Sequence, residues 1–365
     1  MNWLKRRFGI SNLYFFRKSF FGTIGYLALF SGLIILIDIM MHMRDLLDKK
    51  TQFSLWITYY GCLLAKRLDV LIPFALGIAA VQLLNQALRR CEFVPLLCAG
   101  RSIVEILKPI FVTALLFALF LFVHYQIILP KALPRLSQIE SSDFGRNKKE
   151  ELFSGVGQIM LENGSRLLFS GYSSKNKELE CVFLINSFNS ISFMNILKIE
   201  NEGAEASYLQ DFERDESGSF RLQNSYTTKK LPQIHIDKES LLCATAPPKQ
   251  LSLSQLFHIF PRYWDSQSER SIDVHLSLLQ KLTTPLFCLL AVLIPMLTTI
   301  DFGRKTKVYS LFITAALLLI TQIFLQAFSI LARTSIVSPA SATLLPWIIL
   351  GFIAARRFNQ LARKY

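Results

Sequence analysis

Of the 365 residues, 52% are apolar and only 18% are charged, and mean hydropathy is positive; soluble domains carry about a quarter charged residues, so this balance argues against a water-soluble enzyme and for a membrane protein. The formal net charge of +14 raises the question of nucleic acid. Its placement argues against that, because residues 131–270 hold 17 basic and 18 acidic side chains and the whole excess lies outside them.

In chain order, Lys5, Arg6, Arg7, Arg17 and Lys18 precede a first apolar stretch at 20–41. About 20 such residues cross a hydrocarbon core of roughly 30 Å. The stretch is too long for the apolar core of a cleavable signal and lacks a small-residue cleavage site, so it is expected to stay as an anchor. Arg44, Lys49, Lys50, Lys66 and Arg67 separate it from a second stretch at 70–88, and a third runs over 103–129. Three more follow at 276–300, 308–331 and 336–355, giving a 3+3 arrangement of six expected spans.

Four basic clusters flank these spans on one side by the positive-inside rule: the N-terminal one, Arg89 with Arg90 and Arg101, then Arg304, Lys305 and Lys307, and finally Arg356, Arg357, Arg363 and Lys364. Both termini are therefore expected in the cytoplasm and residues 131–270 outside. The excess charge reads as a topology signal and lipid contact.

Between spans two and three the chain reads ALRRCEFVPLLCAGRS over 87–102. It is too short for a domain and too apolar for a solvated loop. A short amphipathic helix on the membrane surface fits, with Glu92 available to a basic residue of a docked partner. The alternative is an interfacial loop in which Glu92 only neutralises Arg89 or Arg90.

From 131 to 270 the pattern changes to short β-type runs at 152–161, 166–172, 181–185, 191–199, 206–212, 220–226 and 234–236, separated by Gly- and Asn-bearing turns. Such spacing predicts an all-β sandwich, jelly roll or open barrel. It holds no Ser/His/Asp set, paired acids or metal spacing, and His235 reads as structural, so binding or scaffolding is expected. Cys181 and Cys243 alone lie where an oxidising compartment could join them; two unrelated buried thiols on strands is an equal alternative.

The chain contains no GxxxxGK[ST] loop; the nearest string, at 302–306, lacks the spacing. Asp38, Asp69, Glu105, Asp273 and Asp301 all fall near span ends rather than mid-membrane, where coupled carriers place acids. Energy, if used, is expected from a partner.

Four places resemble the LptF/LptG permeases of the lipopolysaccharide-export ABC transporter. They are Ser31-Gly32-Leu33-Ile34 through Asp38, Asp69-Val70-Leu71-Ile72-Pro73, Arg90-Cys91-Glu92-Phe93 through Ala99-Gly100-Arg101-Ser102, and Lys281-Leu282 with Pro285, Pro295, Gly303-Arg304 and Leu345-Pro346-Trp347. The span-one and span-two strings lean towards the G-type paralogue. The resemblance implies a transport subunit of the inner membrane of a Gram-negative-type bacterium, without cofactor or nucleotide site. It implies as partners a cytoplasmic ATPase dimer, a homologous second permease, a single-span periplasmic bridge protein and lipopolysaccharide, and no nucleic acid.

In this frame residues 1–130 carry spans one to three with a coupling helix at about 89–101, residues 131–270 a periplasmic β-jelly-roll domain, and residues 271–365 spans four to six. Glu92 matches the coupling-helix acid, flanked by Arg89 and Arg90, and Gly100 and Ser102 match the turn into span three. Arg44, Lys49, Lys50, Lys66, Arg67 and Lys281 fall near the outer edge as candidate contacts for lipid phosphates; snorkelling, or pairing with Asp45, Asp48 and Asp69, is the alternative. Pro95 and Arg101 depart from the pattern: Pro95 requires the helix to be short, to begin nearby or to kink. The competing functions are a non-transporting membrane scaffold whose outer domain binds protein or cell envelope, and a permease for another cargo.

Overall fold

The computed structural model describes residues 10–48, 53–142, 152–161, 164–173, 178–200, 203–215, 218–231, 234, 241, 244–260, 269–299, 308–334 and 337–364. Two compact units emerge. One comprises Met1–Leu136 with Ser252–Tyr365 and is helical; the other, Ser137–Leu251, carries the sheet.

In the helical unit, α1 spans Ile10–Asp48 and kinks at His42, α2 spans Phe53–Arg89, α3 Phe93–Cys98 and α4 Ile103–Val123. A π-helical turn, His124–Ile128, leads into α5, Leu129–Ser142. After the sheet come α6 (Leu253–Ile259), α7 (Glu269–Thr299), α8 (Val308–Arg333) and α9 (Pro339–Lys364). Among the described residues, five helical stretches are long and apolar enough to cross a membrane: Ile10–His42, Ser54–Arg89, Ile103–Glu140, Arg270–Met296 and Tyr309–Arg333. The sixth expected span falls on α9, where the described apolar stretch is Pro339–Phe352.

The helices run past their oily runs. α2 begins at Phe53 rather than at 70, carrying Lys66, Arg67 and Asp69 within it. At 37 residues and about 1.5 Å per residue it is roughly 55 Å long, well beyond a hydrocarbon core.

The core forms where α2, α4 and α7 meet: Ile72, Leu76, Ala80 and Leu84 pack with Leu107, Ile110, Ala114 and Leu121, and with Cys288, Val292 and Met296. Lipid tails provide little hydrophobic drive for such contacts, so close backbone approach matters. Small residues allow it on α2, where Ala75, Ala79 and Ala80 are buried. A Cβ on Gly77 would meet Leu318 of α8 and, at 3.1 Å, the Ala291 carbonyl of α7. At the far end, Gln126 grips α6 with both ends of its amide, donating to Ser254 Oγ at 2.8 Å and accepting from Ser254 N at 3.3 Å.

The second unit is an antiparallel meander of β1 (Leu152–Met160), β2 (Arg166–Ser173), β3 (Glu178–Ser187), β4 (Ser190–Glu200), β5 (Gly203–Arg214) and β6 (Phe220–Leu231), forming one six-stranded sheet among the described residues. Six strands fall on six expected runs; all but β1, which stops one residue short, extend beyond theirs. In the seventh, 234–236, Ile234 is not in a strand, and residues 235–236, with His235, lie outside the described residues.

One face is buried, but its period slips. Leu179 and Val182 on β3, Met194 and Leu197 on β4, and Ala206 and Leu209 on β5 are spaced by three, yet all six are buried. On β3 and β5 the slip coincides with a left-handed residue: Cys181 has φ 47° and Tyr208 φ 54°. The strand registers run unchanged through both positions, Glu180 pairing with Ile196 and Val182 with Met194, and Ser207 with Thr228 and Leu209 with Tyr226, so neighbouring strands slip in phase together. On β1, Gly157 pairs with Phe169 of β2, and a Cβ at Gly157 would enter the Phe169 ring.

Candidate functional site

The chain between α2 and α4 is built from two consecutive helix stops. α2 ends in a Schellman arrangement: Glu92 N donates to Ala87 O at 2.9 Å, Cys91 N donates to Leu88 O at 3.1 Å, and Cys91 takes the left-handed conformation between them at φ 52°. α3 ends the same way. Arg101 N donates to Leu96 O at 3.1 Å, Gly100 N to Leu97 O at 2.9 Å, and Gly100 is left-handed at φ 78°. Glycine meets this requirement without Cβ strain; Cys91 does not.

Ser102 then starts α4, its hydroxyl accepting from Glu105 N at 3.3 Å as an N-cap. The string Gly100-Arg101-Ser102 is thus a stop followed by a start. Pro95 is the third residue of the six-residue α3. Its missing N–H is one that a first turn leaves without an intrahelical partner, so it fits there without a kink.

Glu92 precedes α3 but does not cap it. Its side chain, 22% exposed, turns towards α1: Tyr14 Oη donates to Oε1 at 3.4 Å, and Arg90 Nη1 lies 3.9 Å from the same oxygen. Lys18 Nζ donates to Tyr14 Oη at 3.0 Å. Oε2 is shielded and has no hydrogen-bond partner among the described residues. Phe93 stacks on Phe15 of α1, and Arg101 Nη1 donates to Ser11 Oγ at 2.6 Å. Arg89 and Arg90 are exposed beside this group. Sequence reasoning misses Ser11, Tyr14 and Phe15, and reads Lys18 only as part of a topology signal, because the apolar run starts only at 20. The i, i+4 pair Tyr14 and Lys18 ahead of that run is the available signal.

The other basic candidates divide. Lys66 and Arg67 are exposed on α2, roughly 35 Å along the helix from Arg89. Lys281, on α7, is buried at 5% exposure. Arg44 lies in α1, with its side chain outside the description, and Lys49 and Lys50 lie outside the described residues. Buried polar groups sit near the level of Lys66. His124 Nε2 lies 2.9 Å from Ala65 O, and Tyr125 hydrogen-bonds Thr284 with Asp69 near by. Cys181 is exposed on β3, and Cys243 lies outside the described residues.

Long apolar helices crossing a membrane several times, an antiparallel sheet inserted between them and a charged double turn after the second define a multi-pass membrane protein with a β insert. The family model described as lipopolysaccharide export system permease LptF/LptG matches residues 13–360. The chain belongs to that family. It is accordingly a multi-pass inner-membrane subunit of the lipopolysaccharide export system, and a transport subunit rather than an enzyme. Comparison with curated proteins finds no match.

Proposed function

We propose that this chain is the permease half of an ABC exporter that takes lipopolysaccharide from the outer leaflet of the inner membrane and passes it to a periplasmic bridge, driven by a separate cytoplasmic ATPase dimer. The observation that carries this reading is Glu92. Two helix stops hold a six-residue helix behind a carboxylate whose side chain caps nothing and is partly exposed, at 22%. A cationic side chain of the docked ATPase completes it with a charge-assisted hydrogen bond, and Arg89, Arg90, Gly100 and Ser102 frame the contact.

α9 is the sixth span: its 26 residues reach about 39 Å, so its charged end emerges on the cytoplasmic side with both termini. A homologous permease faces α1 and α8. Their exposed Leu29, Leu33, Leu36 and Met40, and Phe312, Ile320 and Ile323, form gate walls on the lipid path. The strings in spans one and two favour the G-type member of the pair. The sheet is one wall of a jelly roll that hands the lipid to a single-span partner.

Several acyl chains, at about 0.8 kcal/mol per buried CH₂, make unaided extraction slow. Cationic groups at the outer mouth hold the phosphates meanwhile. The exposed Lys66 and Arg67 suit this role, with Arg44, Lys49 and Lys50; the burial of Lys281 favours interior pairing.

A photo-crosslinker at Lys66 in native membranes tests the reading. Lipopolysaccharide is the expected adduct; bulk phospholipid alone would count against it.

A further inference from the structure

We infer that Tyr14 is a positioning residue for Glu92, setting which carboxylate oxygen is presented to a docking partner; this rests on the ATPase-docking reading above. Glu92 stands between two helices and caps neither, so helix geometry does not orient its side chain. The groups facing it come from α1 and from the turn itself. Tyr14 Oη donates to Oε1 at 3.4 Å, and Arg90 Nη1 approaches the same oxygen at 3.9 Å.

Tyr14 is itself held. One helical turn on, Lys18 Nζ donates to its hydroxyl at 3.0 Å, and the ammonium lies 5.1 Å from the centre of its ring. A phenol oxygen that accepts from an ammonium has its proton left to give, and the polarisation makes it the better donor to a carboxylate. Oε1 is thereby engaged from two sides. Oε2 is shielded and without a hydrogen-bond partner among the described residues, so a docking group meets the 22% exposed side chain away from Oε2, on the side that Tyr14 and Arg90 hold.

The alignment does not depend on that bond alone. Phe15, the next residue, stacks on Phe93 at 6.0 Å, and Ser11 holds Arg101 beyond the far end of α3. The first two turns of α1 therefore touch the chain on both sides of α3, and Tyr14 is the member that reaches the carboxylate. The ring of Tyr14 packs edge-on against Phe15 independently of the hydroxyl, so deleting that hydroxyl leaves the ring packing in place.

The test is a double-mutant cycle on full-length protein, with retention of the exporter's own ATPase in mild detergent as the readout. Tyr14→Phe keeps the ring and deletes the hydroxyl; a thermal melt of each variant checks the fold. The expected result is that Tyr14→Phe weakens association by about fivefold, that Glu92→Gln weakens it more, and that adding Tyr14→Phe to Glu92→Gln changes nothing further. Full retention by Tyr14→Phe, or losses that multiply in the double variant, would overturn the inference while leaving the docking reading intact. No loss in Glu92→Gln would sink the docking reading and the inference with it.

Discussion

Phe15 and Phe93 stack with ring centroids 6.0 Å apart and planes 13° from parallel, one from the second turn of α1 and the other from the first residue of α3. Both are buried, at 2% and 7% exposure, so this is the apolar fastening of the short helix to the first membrane helix. The polar contacts of Tyr14 and Ser11 flank it. The start of α3 and the residues flanking it are thus fastened to α1 by apolar and polar contacts together.

Truncating this fastening should be costly. Phe93→Ala removes a buried ring and leaves a cavity, and is expected to destabilise the helical unit by about 3–5 kcal/mol. Phe93→Leu should recover much of it. Thermal melting in detergent measures both, and a Phe93→Ala melt equal to wild type would contradict the assigned packing.

Gly100 separates backbone from packing. Nothing lies within 4 Å of a Cβ built there, so any effect comes from its φ of 78°. Gly100→Val should cost about 1–2 kcal/mol, and Gly100→Asn less, since Asn tolerates the left-handed region. Equal melts for the two variants would mean that the turn relaxes.

In the β unit, Gly157 lies against the ring of Phe169, which is 1% exposed. Gly157→Val has to displace that ring, and overpacking of this kind costs about 1–3 kcal/mol. The expected readout is increased protease sensitivity of 152–231 with the spans unaffected. Adding Phe169→Ala to Gly157→Val should recover part of the resistance, because the space is then free; a double variant more sensitive than either single one would contradict the assigned contact.

Lys281 and Lys66 should differ in reactivity. An amine-specific reagent applied to the folded protein is expected to modify Lys66 readily and Lys281 only after unfolding, given their exposed and buried positions. Mass spectrometry of the peptides reads the ratio. Comparable modification of both would reopen Lys281 as a direct lipid contact.

Much of the fold is legible in the sequence because the bilayer imposes a strong rule: apolar runs of the right length have to be helices. Their true ends are not legible. Lys66, Arg67 and Asp69 interrupt the run that α2 continues through, and Tyr14 and Lys18 lie ahead of the run that α1 begins before. Strand positions follow from alternation, whereas the phase slips at Cys181 and Tyr208 do not, since a non-glycine residue at positive φ leaves no compositional mark. Pro95 is a defect in a helix of a dozen residues. In one of six it occupies the first turn, and the difficulty disappears. Glu92 stands out by its isolation among arginines, but its partner Tyr14 lies 78 residues away, a relation that no local pattern carries.

Whether this permease draws its energy through Glu92 from a separate ATPase is measured most directly by co-purification. Wild type and Glu92→Arg are taken from native membranes in mild detergent and scored for an ATPase and a second permease. Wild type should bring both. Glu92→Arg should insert normally and keep the permease partner, yet lose most of the ATPase, because the arginine places like charge against a cationic docking group. Wild type arriving without any ATPase, or Glu92→Arg retaining it fully, would contradict energy transfer through this carboxylate.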